Sequence, residues 1–259
     1  MELSLLRGMV TSLGLRAEPE PLGGATGAVW AVGKQVLRIG PRIRMDKEVA
    51  ASTAASTVVR VPRVLDRVDV GDQSGLLLER IRGIAVGDLS SCDEAGAEER
   101  GRRCGSLHQA LAAVPAPVAL PTAPGLEAAG PSPSLLHLDL HPFNVLLDET
   151  GTPTVIDWAN AAAGPAELDV ARTAMLLTFD PAARALSSDP RCRALFRGWG
   201  EASRWDDIDY RSRAWALEFM LHDLSDRYAR AELEPLRARL AELDSSSGSD
   251  ARSGGTLRS

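Results

Sequence analysis

Residues 137–158 read HLDLHPFNVLLDETGTPTVIDW, with apolar triplets at 145–147 and 154–156 on either side of Glu149-Thr150-Gly151. Short apolar runs joined by turn-forming residues signal a β-hairpin. A four-residue loop with Asp148 opposite Pro153 would set 147 against 154 and 144 against 157. Asn144 and Asp157 would then face each other at the open end, about 4.5–5.5 Å apart at Cα. Two oxygen donors at that spacing suit one hard cation such as magnesium, which keeps waters or phosphates in its other positions. Asp139 lies five residues before Asn144, in the loop leading to this site. Its carboxylate could accept a proton from an attacking hydroxyl.

The rest of the chain divides around this segment. The stretch 22–32 and the stretch 35–39 are β-like runs split by Gly33-Lys34, a hairpin with a glycine-rich entry. Leu6, Met9, Val10 and Leu13 keep helical spacing ahead of it. Asp46 can cap a helix to about Thr57, and β-like segments follow at 64–70 and 75–81. Residues 1–82 therefore read as a small β-rich lobe with one helix. Composition then turns to Ala, Leu and Glu, with helices predicted at 94–111, 167–179 and 211–229. In the last of these, Leu217, Met220, Leu221 and Leu224 form a stripe at i, i+3, i+4 and i+7. A long Pro/Ala/Gly-rich loop spans 115–133, a length that is unusual without a functional reason. The tail 245–259, SSSGSDARSGGTLRS, has the composition of a disordered segment, which leaves 83–244 as the second lobe.

A metal to neutralise phosphates and a carboxylate to orient a nucleophile are what phosphoryl transfer requires. The spacing D-x-x-x-x-N followed by a distant Asp is a kinase catalytic-loop pattern. The combination HLDLHPFN, IDWANA and LDVARTA resembles the aminoglycoside phosphotransferase family, protein-kinase-like small-molecule kinases that include choline-kinase-like relatives. The resemblance spans about residues 20–230. It implies an α+β, two-lobed protein-kinase-like fold: a small antiparallel sheet with one helix binds nucleotide, and a larger, mainly helical lobe carries catalysis and the acceptor.

Carried over residue by residue, the resemblance makes Asp139 the catalytic base and Asn144 and Asp157 the magnesium ligands. His137 braces the loop, and Asp169 steadies it from the following helix. The family's usual Gly between His and Asp is Leu138 here, a departure that bears on loop geometry. In the first lobe Gly23, Gly24, Thr26 and Gly27 would cover the phosphates of ATP or GTP, since missing Cβ atoms let backbone amides approach. Arg38 takes the place of the third-strand cation, with Glu48 as its ion-pair partner. Glu79 and Ile81 offer hinge backbone groups to the purine.

Other readings exist for parts of the pattern. His137, Asp139 and His141 alternate and could alone bind zinc in a metallohydrolase, but that leaves Asn144 and Asp157 without a role. His141 fits a loop-packing or substrate-side position. A non-catalytic kinase-like binding protein would explain a loose glycine loop, and retention of Asp139, Asn144 and Asp157 together argues against it. The net charge of −6 argues against a nucleic-acid partner and leans toward a cationic acceptor. No stretch approaches a membrane span. Cys92, Cys104 and Cys192 form neither a disulfide framework nor a zinc pattern, which points to the cytoplasm. Only 28 residues separate His108 from His137, so acceptor contacts should fall on the last helices. Glu218, His222 and Asp226, four apart, are the acidic face expected to receive an amine-bearing antibiotic. A small metabolite such as an amino alcohol or sugar is the alternative acceptor.

Overall fold

The chain is described by a computed structural model over residues 3–22 and 28–253. The apolar spacing at the N-terminus forms α1 (Leu3–Ser12), which buries Leu6, Met9 and Val10 against Val32, Leu37 and Ile39 of a sheet. That sheet contains β1 (Pro19–Pro21), β2 (Ala28–Val32), β3 (Gln35–Pro41), β4 (Val64–Val70) and β5 (Gln73–Glu79). It is antiparallel throughout, in the order β1-β2-β3-β5-β4. Gly33, at φ +61°, makes the tight turn that sets Val32 opposite Gln35. The helix α2 (Arg42–Ala55) starts four residues before the predicted Asp46 cap. Pro41 ends β3 with φ −54° and the chain turns directly into the helix, while Asp46 is held by Arg67 at 2.5 Å.

After Glu79 the chain leaves the sheet, and β6 (Ile84–Ala85) pairs with elements far along the sequence. The second lobe continues with α3 (Glu94–Ala112), β7 (Ser134–Leu136), β8 (Val145–Leu147), β9 (Pro153–Val155) and β10 (Ala162–Gly164). Its remaining helices are α4 (Glu167–Phe179), α5 (Pro181–Ala185), α6 (Pro190–Ser203), α7 (Tyr210–Leu224) and α8 (Glu234–Ser253). Asp93 caps α3 by accepting from Gly96 N at 2.8 Å. Two small sheets, β6-β8-β9 and β7-β10, lie against this helical body.

The sequence pattern did not reveal α6, yet it is the closest partner of α3. A Cβ on Gly101 would lie 2.0 Å from Leu195 O, and one on Gly198 would lie 2.1 Å from Glu98 O. The two backbones approach that closely because neither carries a side chain there. Trp199, fully buried, fills the space alongside.

Two further boundaries differ from the sequence expectation. α7 ends at Leu224 rather than Ala229, because its buried stripe of Leu217, Met220 and Leu224 ends there and the chain turns so that Leu233 and Leu236 reach the core. The tail expected to be disordered from 245 is helical to Ser253, within α8. The first turns of α8 are anchored by buried Leu236 and half-buried Leu240 and Leu243, and extending a nucleated helix costs far less than starting one. Residues 254–259 lie outside the described set. The 115–133 segment has no helix or strand but rests on the lobe: Ala123 N donates to Ala163 O at 2.9 Å, and Trp215 Nε1 donates to Pro124 O at 2.8 Å.

Candidate active site

The buried strand β7, paired to β10, delivers residues 137–141 to the centre of the molecule. Leu138 there has φ +60°, in the left-handed region that costs a side-chain-bearing residue about 1–2 kcal/mol. The bend aims two successive amides at one oxygen. Asp169 Oδ1 accepts from His137 N at 2.9 Å and Leu138 N at 2.6 Å, and its Oδ2 lies 3.0 Å from His108 Nδ1. Burial pushes the Asp169 carboxyl up, but the His108 hydrogen bond and charge, His137 and the Leu138 amide outweigh it and hold it below the usual range. Hydrogen bonds to a charged acceptor, about 1.5–3 kcal/mol each, offset the strain. His108 stands 61 residues from Asp169 in the chain, and no local pattern in the sequence marks it as the partner.

His137 is buried. Its Nε2 donates to Ile156 O at 3.0 Å and its Nδ1 accepts from Asp139 N at 3.3 Å, so both ring nitrogens serve the loop. Burial pulls its pKa down, which keeps it neutral, and its ring lies against Trp158 at 4.6 Å. This occupancy leaves His137 with no lone pair for zinc, and among the described residues no group of three His, Cys, Asp or Glu side chains could hold a metal.

Asp139 follows, partly buried at the mouth of the loop. Asn144 Nδ2 donates to its Oδ2 at 3.2 Å and to its backbone carbonyl at 2.9 Å. Burial pushes the Asp139 carboxyl up to about 7, against the opposing charge of Arg172 and with Asp157 and Asp223 adding to the rise. His141 Nδ1 accepts from Phe143 N at 3.2 Å, and its Nε2 lies 3.2 Å from Asn144 Nδ2 and 3.7 Å from Asp139 Oδ1. Burial, with His137 nearby, lowers His141 to about 4 and keeps it neutral at pH 7.

The hairpin register differs by one from the expectation. Leu147 pairs with Pro153 and Val145 with Val155, so Asn144 faces Ile156, whose N–H donates to Asn144 O at 3.0 Å. The loop is the tighter three-residue form: Asp148 Oδ1 accepts from Thr150 N and Thr152 N, both at 2.9 Å, and Gly151 supplies φ +78°. Asp157 nevertheless reaches the site, because its own φ of +62° swings it out of the strand line toward the first lobe. There Arg38 Nη2 donates to Asp157 Oδ1 at 2.7 Å and to Glu48 Oε1 at 3.1 Å. Burial works against the Arg38 charge, but Glu48 and Asp157 outweigh it and raise its pKa. The Arg38, Glu48, Asp157 chain ties β3 and α2 to the end of β9.

The donor chemistry suits magnesium. Asn144 engages its neighbours through Nδ2 and the Arg38 contacts to Asp157 fall on Oδ1, so the amide oxygen of one and the second carboxylate oxygen of the other supply hard oxygen donors. Of the expected hinge groups, Glu79 N–H is committed to Arg63 O at 2.9 Å. Gly23, Gly24, Thr26 and Gly27 lie outside the described residues.

On the acceptor side, Glu218 and His222 are exposed on α7 and Asp226 is exposed just beyond its end. The adjacent face carries Trp215, Phe219 and Asp223, one residue or about 100° around the helix. Trp215 and Phe219 rings lie 5.3 Å apart. Arg172, buried on α4, sits 4.7 Å over the Phe219 ring and donates to Asp223 Oδ2 at 2.5 Å. Arg227 holds the same carboxylate oxygen at 2.7 Å.

Comparison with known proteins follows the same lines. Residues 119–215 match the phosphotransferase enzyme family. The matched segment holds the catalytic loop, the hairpin, α4 and the start of α7. Among curated proteins none matches the chain. The fold is shared with solved structures at low identity. An aminoglycoside phosphotransferase from Streptomyces rimosus superposes with a TM-score of 0.61 at 17% identity, covering 91% of this chain and 98% of that one. A choline/ethanolamine kinase family protein from Mesorhizobium loti gives 0.57 at 15% identity, covering 93% and 92%. A macrolide 2′-phosphotransferase from Brachybacterium faecium gives 0.51 at 16%, covering 92% and 98%. The chain shares its two-lobed kinase-like fold with these solved structures. Among the described residues no helix is long and apolar enough to cross a membrane.

Proposed function

We propose that the protein is a nucleotide-dependent small-molecule O-phosphotransferase of the cytoplasm, with residues 1–82 as the nucleotide lobe and 83–244 as the catalytic and acceptor lobe. The carrying observation is the junction at Asp139. Its loop is fixed by Asp169, its carboxylate is held by Asn144, and Asp157 beside it is tied through Arg38 and Glu48 to the first lobe.

In this reading Asp139 orients the acceptor hydroxyl and takes its proton as the oxygen attacks the γ-phosphorus. The bond to the bridging oxygen breaks, and the nucleoside diphosphate leaves. A carboxylate pushed up to about 7 is matched to that task near neutral pH. Asn144 and Asp157 would hold a magnesium ion, which when bound neutralises charge on the nucleotide phosphates. Arg38, kept charged by its two carboxylates, contributes to the same stabilisation, usually the largest catalytic term. His137 and Asp169 hold the loop, and His141 supports it beside Asn144 and Asp139. The purine of ATP or GTP meets the Glu79 carbonyl and the Ile81 backbone.

The acceptor is a hydroxyl compound of the antibiotic class, with aminoglycosides foremost and an amino alcohol or sugar metabolite as the alternative. The names of the structural neighbours span these classes and support the reading. A panel of aminoglycosides, macrolides, nucleoside antibiotics and amino alcohols with Mg-ATP or Mg-GTP, read by mass spectrometry for a phosphorylated product, tests it. Asp139→Asn should lower turnover about 10²–10⁴-fold with nucleotide affinity kept; undiminished turnover would sink the assignment.

A further inference from the structure

Arg172 is a charged group that the mechanism above does not use. Its side chain is 2% exposed, and it projects from α4 one helical turn after Asp169. α4 grips the catalytic loop on both sides of Asp139: Asp169 accepts the 137 and 138 amides, and Thr173 Oγ1 donates to Leu140 O at 3.3 Å. Arg172 lies in sequence between these two anchors. From the other side α7 holds it, with Asp223 at one nitrogen and the Phe219 ring under the guanidinium.

Among the described residues only Nη2 of this guanidinium finds a hydrogen-bond partner, and Nε and Nη1 are shut off from solvent without one. A buried cation with two idle donors is a costly arrangement, and an acceptor meeting those donors in another state of the site would relieve the cost. Asp139 and Arg172 are near enough to act on each other's charge, and among the described residues Asn144 is the one side-chain donor hydrogen-bonded to the Asp139 carboxylate.

We propose that Arg172 is a positioning residue for phosphoryl transfer, which uses its idle Nε–H and Nη1–H to hold the Asp139 carboxylate in its aim at the acceptor hydroxyl. Asp223 and Phe219 are the clamp that keeps the guanidinium in place. α7, the helix facing the acceptor, is thereby connected to the base through one side chain. The proposal rests on the catalytic reading of Asp139 given above.

A double-mutant cycle tests it with the acceptor found by the panel. Arg172→Met, Arg172→Lys, Asp139→Asn and the two double variants are compared for kcat, for KM of the nucleotide and for melting temperature. Arg172→Met should lower kcat tenfold or more with nucleotide KM within twofold, and Arg172→Lys should recover part of the loss. In the Asp139→Asn background the same substitution should change kcat less than twofold, because the group it acts through is gone. Equal losses in both backgrounds would overturn the role of Arg172 while leaving Asp139 as the base. Full turnover of Asp139→Asn alone would overturn the catalytic reading and this proposal with it. If Arg172→Met fails to fold, the Lys variant carries the cycle, and an Arg172→Lys enzyme that is wild-type in kcat and melting overturns the need for the planar fork.

Discussion

Leu138 sits where the resembled family places Gly, in a backbone conformation that favours Gly, so Leu138→Gly asks whether the leucine is a defect or a support. The substitution relieves left-handed strain of about 1–2 kcal/mol. Against this, Leu138 is 1% exposed in a cluster with Ala123, Leu136, Ala162 and Leu168. Truncating a buried leucine costs about 2–5 kcal/mol through lost transfer energy and the cavity left behind. The extra chain freedom of Gly in the unfolded state adds roughly 0.5–1 kcal/mol. Burial wins, and the net loss comes to about 2–3 kcal/mol, or a fall in Tm of about 4–12 °C for a chain of this size. Leu138→Ala keeps the strain and opens a similar cavity, so it should melt below Leu138→Gly. Differential scanning calorimetry of the three proteins decides the matter. A Leu138→Gly protein melting at or above wild type would show that strain, rather than packing, dominates the loop, and an Ala variant above the Gly variant would refute the left-handed geometry.

Further outcomes follow from the same structure. Gly198→Ala places a methyl 2.1 Å from Glu98 O, so α3 and α6 must part, at a cost of about 1–3 kcal/mol or more, visible as a lowered urea midpoint; an unchanged midpoint would mean that the helices are not in contact there. Asp169, held below its usual range, stabilises the fold above about pH 4, and that stability is lost as pH falls through the lower folded value. Melting temperature should therefore drop less steeply from pH 5 to pH 3 in Asp169→Asn than in wild type, and parallel curves would count against the buried charge. Cys104 is fully buried with its thiol pushed up to about 12, so a thiol reagent at pH 8 should leave it untouched in the native protein and label it after unfolding; native labelling, read by peptide mass spectrometry, would contradict its burial.

Much of the site was legible in advance because its chemistry is local. Asp139, Asn144 and Asp157 lie within one loop and hairpin, and Asp169 follows on the next helix. Where the reading missed, it missed by one residue. The hairpin closes a residue tighter because Asp148 caps its own turn, and Asp157 recovers its place only through a left-handed backbone. On α7 residues 218 and 222 are exposed, with 226 just past the helix end, while Trp215, Phe219 and Asp223, a single position away, are half-buried beside the Leu217 and Met220 stripe. Helical spacing identifies a face but does not say which flank of it meets a neighbour.

The sequence by itself determined the β-rich first lobe, the helical second lobe and the order of the chemical groups, since these depend on periodicity, turn residues and short spacings. Tertiary structure alone decided which distant groups complete them. The pairing of His108 with Asp169 and of Arg38 with Asp157, the closeness of α3 and α6 at Gly101 and Gly198, and the burial of Arg172 between α4 and α7 each join residues far apart in the chain. A hydrogen bond or ion pair in the interior is set by where the apolar faces bring two backbones together, and that distance is written in no single stretch of the chain.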